Sequence, residues 1–140
     1  MSFRAAARIP LSRSVLQSYI RQPALRQFHT TPSNMGIETF TSKAAFQEAV
    51  KTNRIVFIDA FAEWCGPCKA VAPLIAKFAE DDRFKDILFA KFDVDATPDL
   101  GQELGITAMP TFLIFKDGNL ADKLVGAIPA KIEQLLVGNL

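Results

Sequence analysis

The sequence predicts an α/β domain in which a central mixed sheet of five strands is covered by four helices. Two observations carry that reading. Short runs rich in β-branched and aromatic residues alternate with segments of helical periodicity, which implies a sheet with helices on both faces. The last two runs are joined only by Lys116-Asp117-Gly118-Asn119, a turn signal that makes them a hairpin and adds an antiparallel edge to the sheet.

Element by element, Gly36 to Phe40 reads as a short edge strand. Thr41 or Ser42 can cap a helix whose apolar face is Ala45, Phe46, Ala49 and Val50. Arg54 to Ala62 contains Ile55-Val56-Phe57-Ile58, the pattern of a strand buried on both sides. A helix starts at Cys65 and Cys68 and runs to about Ala79, with Val71, Leu74, Ile75 and Phe78 inward and a kink expected at Pro73. Ile87 to Val94 is a second buried strand, and Asp99 to Leu104 a short helix stopped by Gly105. Thr111 to Phe115 and Leu120 to Val125 form the hairpin. The last helix follows Pro129 and turns Ile132, Leu135 and Leu136 inward.

Charge divides the chain in two. Before Glu38 there is no acidic residue, yet Arg4, Arg8, Arg13, Arg21 and Arg26 all fall there. Within that segment Leu11, Val15, Leu16, Tyr19 and Ile20 share one side of a helix opened by Pro10, and Arg13, Ser14, Gln17 and Arg21 share the other. An Arg-rich, Ser-rich, acid-free amphipathic start has the composition of an organellar transit peptide. Residues 1–35 are therefore expected to be a cleaved mitochondrial presequence, with 36–140 the working domain and the mitochondrial matrix its destination. The run from Arg26 through Phe28 to Met35 resembles a two-step mitochondrial processing site that would leave Gly36 first. The formal net charge of +1 gives no basic footprint for nucleic acid, and no stretch reaches the roughly 20 apolar residues of a membrane span.

Cys65 and Cys68, three positions apart, are the only cysteines. Such a pair in a Cys-poor chain fits a working redox couple better than a secreted disulfide scaffold. A zinc site needs about four ligands, which two thiols do not supply. At a helix start the unpaired N–H groups and partial positive charge favour thiolate over thiol, lowering a cysteine pKa below its free value of about 8.5. Cys65, at the exposed end, is then the attacking nucleophile. Cys68, one turn inside and buried, resolves the mixed disulfide.

The hexapeptide Trp64-Cys65-Gly66-Pro67-Cys68-Lys69, following a buried strand, closely resembles the signature of the thioredoxin family, in its reducing branch. The resemblance runs from about Ile37 to Leu140. It implies a thioredoxin-like fold and protein-disulfide reduction without a bound cofactor. Electrons would come from NADPH through a thioredoxin reductase, and acceptors such as peroxiredoxins and other disulfide-containing proteins would be the substrates of a monomeric protein. It also implies a buried carboxylate at Asp59, a nearby lysine at Lys91, and a cis-proline loop at Met109-Pro110-Thr111. A substrate groove would be lined by Trp64, Gly66, Pro67, Met109, Pro110, Thr111, Gly126 and Ala127.

Phe61 stands where many members have a second tryptophan, and Ala60 where an aromatic is frequent. His29 and Tyr19, the only residues of their types, lie in the presumed presequence, so no Cys–His pair is available to the domain. Proton transfer at Cys68 then falls to Asp59, whose burial raises its pKa toward neutrality, with Lys91 modulating it. An oxidase or isomerase on the same fold, and a binding module switched by the redox state of the pair, stay open as alternatives.

Overall fold

The computed structural model describes residues 36–140. The expectations for residues 1–35 lie outside the described part. Nine main elements follow in order: β1 (Glu38–Thr39), α1 (Lys43–Thr52), β2 (Ile55–Phe61), α2 (Gly66–Ala79), β3 (Ile87–Asp93), α3 (Pro98–Glu103), β4 (Thr111–Lys116), β5 (Asn119–Val125) and α4 (Pro129–Val137). They build one five-stranded sheet in the order β1-β3-β2-β4-β5. β1, β3 and β2 run parallel, whereas β4 pairs antiparallel with both β2 and β5. The expected mixed sheet with its antiparallel hairpin is what the chain forms.

Central position explains the composition of β2. With a neighbour on each side and helices on both faces, Ile55 through Ala60 are all buried. Alternation sends successive side chains to opposite faces. Ile55 and Phe57 join Phe89, Phe112 and Ile114 beneath α2 and α4, against Val71, Ile75, Ile132 and Leu136. Val56, Ile58 and Ala60 join Phe92 and Leu113 beneath α1 and α3, against Phe40, Phe46, Val50 and Leu100. Aromatic contacts weld each layer, Phe57 lying 5.2 Å from Phe89 and Phe46 5.3 Å from Phe115, centroid to centroid.

Three local features differ from the sequence reading, and one follows it. β1 keeps two residues rather than five, pairing only with Ala90 and Lys91, after Gly36 at φ +133°. The four-residue turn contracts to Asp117-Gly118 at φ +51° and +80°, a mirror-type turn whose twist matches that of the strands it joins. α2 runs through Pro73 to Ala79 as read, with Pro73 on the exposed side of the helix. A 3-10 turn at Asp82–Phe84, with no counterpart in the periodicity, is capped by the Asp81 carboxylate accepting from Arg83 N–H at 2.9 Å and buries Phe84.

The stop at Gly105 behaves as read. At φ +59° it lets Ile106 N–H reach Gly101 O at 2.9 Å and its own N–H reach Gln102 O at 3.1 Å, closing α3 in a Schellman motif. Among the described residues, no helix is long and apolar enough to cross a membrane.

Candidate active site

The carboxyl end of β2 feeds directly into the start of α2, and this junction holds the cysteines. Ala62 O accepts from Cys65 N–H at 3.0 Å, folding the chain back on itself just after the strand. Cys65 is the N-cap residue of α2, its sulfur accepting from Cys68 N–H at 3.2 Å, and Pro67 occupies the first turn, where proline's missing donor leaves no gap. The two sulfurs are joined in a disulfide across a Cα separation of 5.4 Å.

One expectation is corrected here. Cys65 is as buried as Cys68, each 4% exposed, because Met109, Val94 and Phe61 close over the pair and the sulfur of Cys65 is turned inward to Cys68. The asymmetry between the two lies in helix position: Cys65 caps the helix from outside, and Cys68 is within its first turn. Exposure falls instead on Trp64, at 69%, with Gly66 and Pro67 also open to solvent.

The loop before β4 supplies the facing wall. The Met109–Pro110 peptide is cis, as expected. Thr111, buried, donates its hydroxyl to Ala108 O at 2.7 Å, and Gly126 N–H donates to Pro110 O at 2.9 Å. Gly126 has φ +103°, backbone that favours glycine, and Ala127 packs onto the core beneath α2 and α4. Met109, Pro110, Thr111, Gly126 and Ala127 thus form one continuous stretch of the fold.

Beneath the disulfide, Asp59 is 6% exposed and its Oδ1 has no hydrogen-bond partner. Burial pushes its carboxyl up to about 7, against a smaller opposing pull from the Lys91 charge. Lys91 sits directly across from Asp59 in the β2–β3 register, yet no ion pair joins them, and its ammonium lies over the Phe61 ring, 5.5 Å from the centroid. Asp59, Phe61, Ala62, Glu63, Cys68, Lys69, Ala72 and Lys91 line one cleft of about 440 Å³, part of it open to solvent.

Sequence reasoning missed two contributors. Asp95 accepts from the Trp64 indole N–H at 2.8 Å, and is itself held by its own N–H donating to Asp93 Oδ1 at 2.9 Å. Lys123 donates to Gly105 O at 2.8 Å, tying β5 to the loop that leads to Pro110. Neither carries a local signal: Asp95 lies 31 residues beyond Trp64, and Lys123 18 beyond Gly105, and both read as exposed charges. Among the described residues there is no cluster of His, Cys, Asp and Glu able to hold a metal.

Comparison with known proteins agrees with this geometry. The Thioredoxin family profile matches residues 37–137. Thioredoxin-2 of Pyricularia oryzae is 45% identical over 114 residues, covering 81% of this chain and 66% of that longer protein. The thioredoxin of Coprinus comatus is 40% identical, covering 71% of this chain and 94% of its own length. Thioredoxin-3, mitochondrial, of Saccharomyces cerevisiae is 38% identical, over 79% of this chain and 85% of that protein.

Among solved structures, oxidised mitochondrial thioredoxin 3 of Saccharomyces cerevisiae superposes with a TM-score of 0.70 at 38% identity, covering 75% of this chain and 97% of that one. A structure concerned with thiol resolution in yeast mitochondrial 1-Cys peroxiredoxin via glutathione/thioredoxin systems gives 0.70 and 38%, over 74% and 95%. Such proteins exchange electrons through the cysteine pair itself and need no bound cofactor. With the fold, the paired cysteines at the helix start and the family profile in agreement, this chain belongs to the thioredoxin family of dithiol–disulfide oxidoreductases.

Proposed function

We propose that the reduced protein attacks substrate disulfides through the Cys65 thiolate and resolves the product through Cys68, with Asp59 as the proton carrier. Cys65 Sγ forms a bond to one substrate sulfur, and the other leaves as a thiolate. Cys68 then gives its proton to the Asp59 carboxylate, directly or through water in the cleft, and attacks Cys65 Sγ. The second substrate sulfur departs as a thiolate and the Cys65–Cys68 disulfide is left. Substrate gains two electrons and the protein loses two. The observation that carries this reading is the orphaned Asp59 carboxyl in the same cleft as Cys68. A carboxyl near 7 exchanges a proton in either direction at neutral pH.

Trp64, Gly66, Pro67, Met109, Pro110, Thr111, Gly126 and Ala127 form the face that receives the substrate, by apolar contact and by backbone pairing beside Pro110. Lys91 tunes Asp59. NADPH, through a thioredoxin reductase, restores the dithiol, and peroxiredoxins are among the acceptors, a choice supported by the peroxiredoxin context of one structural neighbour. Residues 1–35 act as a transit peptide to the mitochondrial matrix, supported by their acid-free composition and by a mitochondrial relative. N-terminal sequencing of the organellar protein should find Gly36 first, and a start far from it defeats that assignment.

Equilibration against defined thiol buffers, read by alkylation of free cysteines, gives the reduction potential. A value near the roughly −270 mV of reducing thioredoxins is expected. A value near that of an oxidase, about −120 mV, overturns the reductase reading. Asp59→Asn should slow resolution of the mixed disulfide most near neutral pH, and an unchanged pH profile removes Asp59 from the mechanism.

A further inference from the structure

Alternation along β2 puts Asp59 and Phe61 on the same face of the sheet, and the β2–β3 register puts Lys91 beside them. A lysine stem in that position has two destinations within its reach. One is the Asp59 carboxylate directly opposite. The other is the Phe61 ring, two residues further along β2. The ammonium is on the ring, 5.5 Å from its centroid, and makes no ion pair with Asp59.

An aromatic face attracts a cation through its quadrupole, more strongly where water is scarce, and Lys91 is half-buried here. The carboxyl that lacks this partner has an oxygen with no hydrogen bond at all. Among the described residues, no other ion pair takes its place. On β4 the residue opposite Asp59 is Phe112, which is apolar. Glu63 and Lys69 line the same cleft, and the Asp59 carboxyl is pushed up by burial and pulled down, more weakly, by the Lys91 charge.

We propose that Phe61 is a positioning residue: its ring competes with Asp59 for the Lys91 ammonium and thereby limits how far that lysine stabilises the carboxylate. The consequence is a carboxyl that keeps the affinity for a proton its burial creates. With the lysine drawn fully onto Asp59, the carboxylate would hold its charge and become a poorer proton acceptor for Cys68. Phe61 therefore acts on the reaction through Lys91, without touching substrate. This rests on Asp59 being the proton carrier only for its importance to catalysis, because the competition itself is a property of the oxidised protein at rest.

The test is a double-mutant cycle read by carbon NMR of the aspartate carboxyls in the oxidised full-length chain, with the Asp59 signal assigned by its loss in Asp59→Asn. Phe61→Leu frees the lysine, and the Asp59 midpoint should move down from about 7 by about one pH unit. That is the lower end of what an opposite charge brought within roughly 4–6 Å does to a carboxyl. In the Lys91→Met background the same substitution should leave the midpoint in place. Phe61→Trp, which enlarges the ring face, should move it up when Lys91 is present and not when it is absent.

An equal fall for Phe61→Leu in both backgrounds means that the smaller side chain merely admits water, and overturns the proposal. No fall in either does the same. The proton role of Asp59 is tested apart from this, by the resolution rate in Asp59→Asn. An unchanged rate there defeats the proton role while the NMR cycle still decides the competition.

Discussion

α1 and α2 cover opposite faces of the sheet and begin in the same way. At Ser42 the side-chain oxygen accepts from Ala45 N–H at 3.2 Å; at Cys65 the side-chain sulfur accepts from Cys68 N–H at 3.2 Å. Both caps satisfy one amide that the helix itself leaves unpaired, and both sit where the helix field favours negative charge. A hydroxyl does not ionise there, so Ser42 only anchors a helix. A thiol is the more acidic group, and a cap of this geometry at Cys65 is what the proposed nucleophile requires. The surroundings sharpen the contrast. The α1 and α3 side of β2 is apolar throughout, whereas the α2 side carries Asp59 two residues beyond Phe57. Reactivity here comes from atoms substituted into a common scaffold rather than from special backbone.

Breaking the chemical side of the comparison gives the largest effect. Cys65→Ser turns the second cap into the first and should abolish disulfide reduction, measured by turnover of a disulfide substrate. Cys68→Ser should accumulate a mixed disulfide at Cys65, visible by intact mass. Next in size is the purely structural face: Phe92→Ala, fully buried under α1 and α3, should cost about 3–5 kcal/mol in chemical denaturation.

Asp59→Ala works in the opposite direction. The wild-type carboxyl is raised from 3.8 to about 7 on folding, so between these values the native state holds a proton that the unfolded chain has released. Stability from this group is intact below about pH 4 and is lost as pH rises through 7. Relative to wild type, the variant should therefore gain roughly 4 kcal/mol by pH 8 and nothing at pH 3, with both proteins oxidised. A constant difference across pH would contradict the buried, ionising carboxyl. Smallest is Ser42→Ala, which should cost about 1 kcal/mol and leave the reduction rate unchanged.

Most of the fold could be read in advance because its signals are local. The run Ile55 to Ile58, the Asp117-Gly118 turn and the Gly105 stop each state their own geometry. The cysteine pair, Pro110 and Gly126 were also recognisable, since they belong to short motifs. What escaped depends on distance through space. Asp95 is an ordinary exposed aspartate until the fold brings it to the Trp64 indole. The burial of Cys65 depends on Met109 and Val94, which come from two other segments. Lys91 was placed near Asp59, but its seat on Phe61 follows from a choice between two partners that sequence spacing does not resolve. The 3-10 turn at Asp82 is too short for any periodicity and rests on a single carboxylate cap.

The two margins of the sheet have a consequence for selectivity between partners. An open strand edge is a template on which any extended chain can add itself, the usual route to aggregation. β1 offers only two residues there, too few to hold a foreign strand. β5 is longer and exposed, but it is interrupted by a bulge opposite Ile114–Phe115 and carries Asp122 and Lys123 in its middle. Both margins are thus poor hosts for promiscuous pairing. On the proposed mode of binding, extended substrate segments pair beside Pro110, and the two margins withhold a second place for them to add.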